Sequence, residues 1–551
     1  MLQSQRFVRG RRRCAAAAAG VSLLLVAACS GGSSNDDKTV DVSKDLASTM
    51  SPAKGDIDQL TWNLTAGEPD TLDPRNAATY GGGQVTSNLC DPLVRVDADY
   101  KLTPNLVSFK QVTPTKLVYT LVADATFWDG KPVTAEDIAF SLNRAKAPDS
   151  IVSFIYANVK SIEATGDKEV TVTFTKPDEL FNNEMSTIAG LVVEKAYTEK
   201  NAKTFGTSAG GLMCSGPFKL DSWKTGDSIT MSRNDNYWND TYKAHAASVK
   251  FTFVTDSTAL TQALNAGEID GAYEVSPDAI TSLKSNGRNA VVFGPSTQSL
   301  KLDVANPGGV TADRTFMQGL QKIVDRKALA KVIYKGAATP LYSAITPTTW
   351  PNDQRATYQK AYDVLEKERA FDAKGAKKLI EQSDYDGQKL VVAIPAGNSV
   401  LSKTAQLLQQ QAKQAGVTIK ILSLQPLVYS QAGYDATKRK GIDFLLGTSF
   451  NGVQDPLEPA GFVYLPKAFY NYTDLDDPAV TDALNTARET FDGDKRAELF
   501  IKAQTTFEQA SATVPLLSTN TVTVLNKKYT GAVTSFAYWA MPQMAPIGAA
   551  K

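Results

Sequence analysis

Apolar and polar residues alternate with a period of two in several short segments of the first half of the chain. The alternation is clear in residues 60–64, 170–174 and 249–253, and it predicts half-buried strands. A helix is predicted over 258–266, because Gly267 follows it as a usual C-terminal stop. This strand-rich half is typical of antiparallel sheets.

The second half of the chain has a different pattern. Residues 390–394 form a continuous apolar run, 400–415 have helical spacing, and 417–424 and 443–446 again favour strands. Strand, helix and strand joined by short links predict a βαβ unit and a parallel sheet. The fold class is therefore expected to be α/β, with two lobes. The boundary between the lobes is expected near residue 300.

The first 28 residues have the composition of an export signal. Five arginines precede an apolar run from Cys14 to Ala28, and no acidic residue occurs before Asp36. The run is shorter than the roughly 20 residues that span a bilayer. The sequence Val26-Ala27-Ala28-Cys29 resembles the lipobox of bacterial lipoproteins, in which the signal is cleaved before the cysteine and that cysteine is acylated. The alternative is an ordinary signal peptide with a chance cysteine at position 29.

The residues after this signal are expected to form a flexible tether and then a globular body. Residues 29–57 are rich in small and polar side chains, which is typical of a flexible linker. Without residues 1–28 the chain has 53 basic and 58 acidic residues, a net charge of −5. A mildly acidic chain without a basic block argues against a nucleic-acid partner. Its remaining length predicts three or four structural units.

The low counts of histidine and cysteine argue against several kinds of catalytic and metal-binding site. His245 is the single histidine, so a histidine-dependent nucleophile would have to use it, and histidine-rich metal sites are not expected. We expect His245 on the surface and neither a cofactor nor a metal. With Cys29 lipidated, Cys90 and Cys214 remain as a pair in an oxidising compartment, which predicts a disulfide. Two separate buried thiols are the alternative.

A glycine-rich segment, Tyr80-Gly81-Gly82-Gly83, precedes a helical stretch from Gln84 to Leu89. It is predicted to be a flexible loop that allows the helix to begin. The alternative is a cradle in which backbone N–H groups bind an anion at the helix start.

Several motifs together resemble the family 5 extracellular solute-binding proteins, the oligopeptide, dipeptide and nickel receptors of ABC importers. The motifs occur in the family's order and are, along the chain, 127–138 (FWDGKPVTAEDI), 214–220 (CSGPFKL), 233–238 (RNDNYW), 266–270 (AGEID) and 454–456 (QDP). The resemblance covers essentially all of residues 60–551. As structural elements, these motifs are turns and helix starts rather than site residues.

The resemblance implies a two-lobed fold like that of periplasmic binding proteins, with a hinge of two crossing segments. Lobe I would comprise 58–300 with an extra subdomain at about 101–200, lobe II would comprise 301–519, and 520–551 would return to lobe I. A solute would bind in the cleft and closure would bury it, because small-molecule sites favour domain interfaces.

The resemblance also implies which residues contact the solute. They come from the loop before the first long helix, the hinge entry and the segment after a late strand: Tyr80, Gly81, Ser296, Thr297, Gln298, Phe450, Asn451 and Asp455. Peptide-binding members hold the peptide ammonium group with an aspartate in the last segment, and Val453 occupies that position here. Asp455 is either a replacement for this aspartate or only a turn residue.

The expected function is a lipid-anchored receptor, outside the cytoplasmic membrane or in the periplasm, that delivers a small solute to an ABC permease. A peptide is the first expectation, the membrane is contacted through the lipid alone, and the protein is expected to be a monomer. The alternative is a binding or signalling receptor for a non-peptide solute, such as a sugar or metal chelate, without transport. An enzyme is not expected: Ser402 and Lys403, the one Ser-Lys candidate, are adjacent on a helix and point to different faces.

Overall fold

The computed structural model describes residues 46–122, 124–433, 435–468 and 470–551, with the side chain of Leu427 excepted. The predicted signal peptide, the predicted lipidation site Cys29 and the first part of the predicted tether lie outside the described residues. Within the described ranges, no helix is both long enough and apolar enough to cross a membrane.

The described residues form a mixture of helices and strands. The strands are β1 Ile57–Asn63, β2 Val94–Val96, β3 Leu102–Pro104, β4 Val107–Thr113, β5 Lys116–Leu121, β6 Val159–Gly166, β7 Glu169–Phe174, β8 Phe218–Lys224, β9 Ser228–Arg233, β10 Ala246–Thr252, β11 Gly271–Ala272, β12 Asn289–Gly294, β13 Ser299–Val304, β14 Ala338–Pro340, β15 Lys389–Pro395, β16 Thr418–Leu424, β17 Phe444–Ser449, β18 Thr513–Thr519, β19 Thr521–Asn526, β20 Tyr529–Thr530 and β21 Gly548–Ala549. The helices are α1 Tyr80–Leu89, α2 Ala135–Lys146, α3 Phe181–Glu184, α4 Lys195–Lys200, α5 Ser257–Ala266, α6 Ile280–Ser285, α7 Arg314–Ile323, α8 Arg326–Val332, α9 Arg355–Arg369, α10 Ala373–Glu381, α11 Ser399–Gln414, α12 Pro426–Ala432, α13 Leu457–Tyr464, α14 Pro478–Arg488 and α15 Gly493–Ala510.

Two large sheets divide the fold into two lobes. The first sheet has the order β12-β19-β11-β1-β10-β9-β8, and the second has the order β14-β18-β13-β17-β15-β16. The chain leaves the first sheet through residues 295–298 and returns to it at Asn520. We call residues 46–294 and 521–551 the first lobe and residues 299–519 the second lobe. The two connections between the lobes, residues 295–298 and Asn520, are called the first and the second crossing.

A smaller sheet with the order β4-β5-β7-β6 builds the part of the first lobe that was expected as an extra subdomain. Helix α2 packs on this sheet. The Thr134 hydroxyl caps the helix by accepting the Asp137 N–H, and the Asp137 carboxylate accepts the Thr134 N–H in return. This reciprocal capping fixes the helix start at the place where the sequence motif 127–138 predicts it.

The parallel unit of the second lobe is confirmed. Strand β15 is parallel to both β16 and β17, and α11 connects β15 to β16. The antiparallel expectation for the first lobe is wrong at its centre, because β1 pairs in parallel with β10 and β11. Alternation of apolar residues shows which face is buried but not which strand lies alongside, so it could not distinguish the two arrangements.

Two sequence expectations about local structure need correction. Residues 46–56 are not a free tether: the Ala47 N–H donates to the Phe293 carbonyl and the Lys54 N–H donates to the Ala549 carbonyl. Helix α1 begins at Tyr80, so the three glycines lie inside its first turn and are not a loop. Glycine is required at position 83 because a Cβ there would lie 2.2 Å from the Trp539 Nε1 atom.

Cys90 ends α1 and is joined to Cys214 by a disulfide, with 1.94 Å between the two sulfur atoms. Both cysteines are fully buried in the core of the first lobe. The bond therefore ties the first long helix to the segment that precedes β8.

Candidate functional site

A cavity of about 280 Å³ lies between the lobes, next to both crossings. Its walls combine apolar, hydroxyl and amide side chains from the two lobes. The lining residues are Thr65, Ala66, Tyr80, Val254, Thr255, Ser257, Leu260, Glu274, Val275, Ser276, Pro277, Gln298, Tyr334, Ala337, Gly397, Asn398, Ser399, Val400, Leu401, Thr448, Thr519, Asn520 and Val522. The volume is at the lower end of the usual range for small-molecule pockets, roughly 300–1,000 Å³.

Glu274 is placed in this cavity by the short strand β11, which ends two residues before it. Its backbone has a φ of 55°, a left-handed conformation that side-chain-bearing residues seldom adopt. The Tyr538 hydroxyl donates a 3.0 Å hydrogen bond to Glu274 Oε1, and the Tyr538 ring is stacked on Tyr273 with 3.8 Å between the ring centroids. The carboxylate is therefore held by a rigid aromatic pair.

Burial dominates the electrostatics of this carboxylate. Loss of hydration raises the pKa of Glu274 from its ordinary value to about 7, although hydrogen bonds from Tyr538 and Gln298 act in the opposite direction. Glu274 takes part in no ion pair among the described residues. A carboxylate in such a place costs free energy when it is ionised, unless a cation joins it.

Gln298 lies in the first crossing and reaches the cavity. Its backbone N–H donates to the Ser296 hydroxyl, and its Oε1 atom accepts from the Thr519 hydroxyl beside the second crossing. Tyr80 lines the cavity from the first turn of α1, and burial raises the pKa of its hydroxyl. Tyr80 and Gln298 are thus the two expected contact residues that the structure brings into the cavity wall.

Five other expected contact residues form the structure behind that wall. The Thr297 hydroxyl donates to the Asn451 carbonyl at 2.8 Å, and the Asn451 amide donates to the Thr297 carbonyl at 3.3 Å. The Phe450 ring packs on Tyr80 with 4.5 Å between centroids. Gly81 is buried, and Ser296 is held by the hydrogen bond from Gln298. These contacts join the hinge to the loop after β17.

Asp455 has a different position from the one expected. Its carboxylate pairs with Arg496 and accepts the Leu457 N–H at 2.8 Å. Asp455 therefore forms a buried ion pair and stabilises the start of α13, and it does not line the cavity. Val453 is 2 % exposed and belongs to the apolar core of the second lobe. The family position for an ammonium-binding aspartate is therefore packed away from the cavity.

Two groups of ionic contacts cross between the lobes. At the rim of the cavity, Lys403 of α11 lies 2.7 Å from Asp278 of the first lobe. Farther away, Arg488 pairs with Asp178 at 2.9 Å and with Glu184 at 2.7 Å, and both carboxylates are almost fully buried. Burial raises the pKa of Glu184 to about 7, although Arg488 opposes this shift. The lobes are therefore closed on each other.

Sequence reasoning missed Glu274, Tyr334, Thr448 and the start of α11. A partial signal for Glu274 was available, because it lies four residues after the motif at 266–270. No local signal marks Tyr334 or Thr448, which reach the cavity only through the packing of the second lobe. Within the described ranges there is also no cluster of three or more His, Cys, Asp or Glu side chains that could hold a metal ion.

Comparison with known proteins finds one family of solute-binding proteins that matches most of this chain. The model of the bacterial extracellular solute-binding proteins, family 5 (middle), matches residues 101–471. The glutathione-binding protein GsiB of Salmonella typhimurium LT2 is 24 % identical over 488 residues, which cover 86 % of this chain and 90 % of GsiB. These similar proteins are solute-binding receptors and not enzymes.

Solved structures have the same fold. The binding protein DppA of Helicobacter pylori, in complex with the peptide STSA, has a TM-score of 0.77 at 20 % identity, covering 90 % of this chain and 99 % of DppA. AgaA of A. tumefaciens R10, in complex with agropinic acid, has a TM-score of 0.76 at 20 % identity, covering 90 % of this chain and 99 % of AgaA. One fold therefore holds chemically different solutes.

Proposed function

Because the chain belongs to the family 5 extracellular solute-binding proteins, we propose that it is a lipid-anchored receptor that passes a small solute to an ABC permease. The observation that carries this proposal is the cavity at the two crossings, lined by residues of both lobes. A solute bound there would contact both lobes, so binding would favour closure and give a permease a shape to recognise.

The size and lining of the cavity support a solute no larger than a short peptide. Tyr80, Tyr334 and several hydroxyl side chains offer stacking and hydrogen bonds around about 280 Å³. GsiB is named for binding glutathione and DppA holds the peptide STSA, which supports a peptide as the first candidate.

A non-peptide solute is the second candidate, and a specific observation favours it. Val453 lies in an apolar core where peptide-binding members have the ammonium-binding aspartate, and Asp455 is occupied by Arg496. AgaA, which holds agropinic acid, illustrates a non-peptide solute in this fold.

The anchor is proposed from the sequence of the N-terminal segment. The arginine-rich start, the apolar run and Val26-Ala27-Ala28-Cys29 support cleavage before Cys29 and acylation of that cysteine. Labelling cells with radioactive palmitate tests this directly. The wild-type protein should carry label in the membrane fraction and Cys29→Ser should not; a labelled Cys29→Ser variant would contradict the anchor.

The receptor function is tested by native mass spectrometry of gently purified protein, followed by melting curves with dipeptides, glutathione, sugars and metal chelates. A bound solute should raise the melting temperature, because it stabilises only the native state. Solute uptake in cells with and without the partner permease then separates transport from signalling. The proposal fails if no solute co-purifies and no compound shifts the melting temperature.

A further inference from the structure

The cavity wall has an unbalanced charge. Among its described lining residues, Glu274 is the one acidic side chain, and none is Lys, Arg or His. Lys403, at the rim, is already paired with Asp278. A solute that enters this cavity therefore meets one acidic side chain, which is negative when ionised, and no basic side chain in the lining.

The position of the Glu274 carboxylate is fixed by the surrounding protein. The Tyr538 hydroxyl donates a 3.0 Å hydrogen bond to this carboxylate. The Glu274 backbone has a left-handed φ of 55°, a conformation in which glycine would be less strained. Strain of this kind is retained when the side chain is needed where it stands. Glu274 forms no ion pair among the described residues, whereas Arg488 pairs with the buried Glu184 and Arg496 with the buried Asp455.

We propose that the solute is a small organic cation whose ammonium group is bound by Glu274. This inference rests on the receptor function proposed above and names the class of its solute. The rings of Tyr80 and Tyr334 line the same cavity, and aromatic rings attract cations. The carboxylate of a zwitterionic peptide would find no basic side chain in this wall, so an amine, amide or ester with a net charge of +1 should bind better.

Three probes with one backbone test the charge preference. Glycyl-leucinamide carries a charge of +1, glycyl-leucine is a zwitterion, and N-acetyl-glycyl-leucinamide is neutral. Putrescine adds a cation without a peptide bond, and isothermal titration calorimetry measures each affinity. The expected result is that at least one cation binds and that glycyl-leucinamide binds more tightly than its zwitterionic and neutral counterparts. Equal or tighter binding of the neutral probe overturns the proposal, as does an anionic or neutral solute that co-purifies.

The Glu274→Gln variant tests whether Glu274 binds the cationic group of the solute. Loss of a buried charge partner should weaken the binding of a cation by about 30-fold or more, and it should weaken the binding of neutral compounds much less. Glu268→Gln removes the same charge from an exposed position nearby and serves as the matched control. Melting curves of both variants establish that they fold.

The outcomes separate this inference from the receptor function. If a solute binds and Glu274→Gln binds it as tightly as the wild type, the cation proposal is overturned and the receptor function stands. If no probe binds and no solute co-purifies, the receptor function fails and the cation proposal fails with it. Affinity for the cation should also rise as the pH increases through 7, because Glu274 must be ionised to attract it.

Discussion

Lys403 in α11 of the second lobe reaches Asp278 in the first lobe, with 2.7 Å between Nζ and the carboxylate, and so bridges the rim of the cavity. The Ser399 hydroxyl donates to the same carboxylate at 3.4 Å. Both partners of the ion pair are partly exposed to solvent. The bridge exists only when the lobes are closed, which links it to retention of a solute.

Replacing Lys403 by Met should therefore speed solute release more than it slows solute capture. The expected effect is small, a loss of affinity of about two- to five-fold, because partly exposed ion pairs contribute only about 0–1 kcal/mol. Stopped-flow release rates at low and high salt provide the measurement, with Lys377→Met as the control, since Lys377 pairs with Glu381 within one helix. A salt-independent release rate in the wild type would argue against the bridge.

Replacing Arg488 by Met should open the lobes or unfold them. Asp178 and Glu184 would remain buried without a cation, and removal of one partner from a buried ion pair typically costs about 3–5 kcal/mol. Small-angle X-ray scattering should show a larger radius of gyration, and the melting temperature should fall. Lys176→Met is the control, because Lys176 forms an exposed pair with Glu489; similar effects of both variants would contradict the assignment.

The stability of the ligand-free protein should depend on pH through Glu274. Burial raises its pKa to about 7, above the ordinary value near 4.5. The folded protein thus holds this proton where the unfolded chain has lost it, so stability falls as the pH rises from 4.5 through 7. Glu274→Gln does not ionise and should melt at a higher temperature than the wild type at pH 8, with little difference at pH 4.5. An equal difference at both pH values would count against this explanation.

Replacing Cys90 and Cys214 together by Ala should lower the melting temperature substantially. The disulfide closes a loop across a sequence separation of 124 residues, and such a cross-link stabilises a protein by about 2–4 kcal/mol. Because both sulfur atoms are buried, a reducing agent should act on the wild type only near its unfolding transition. Alkylation followed by mass spectrometry measures this; rapid labelling of both cysteines under native conditions without reductant would show that the bond is absent.

Local features of the fold were predictable where neighbouring residues decide them. The capping of α2 by Thr134 and Asp137, the stop of α5 at Gly267, and the βαβ unit around α11 all depend on interactions within a few residues. The glycine-rich segment was wrongly predicted to be a loop, because the need for glycine at position 83 comes from a distant residue: the indole of Trp539 packs against α1. Composition alone could not distinguish a loop from a helix that needs small residues.

The sequence by itself determined the fold class, the strand and helix pattern of the second lobe, and a family resemblance in five ordered motifs. The tertiary structure decided which polar residues share the cavity. It placed Glu274 in the wall beside Tyr80 and Gln298, and it placed Asp455 in an ion pair with Arg496. Spacing along the chain fixes hydrogen bonds and faces within one element, whereas the surroundings of a carboxylate depend on residues hundreds of positions away that only packing brings together.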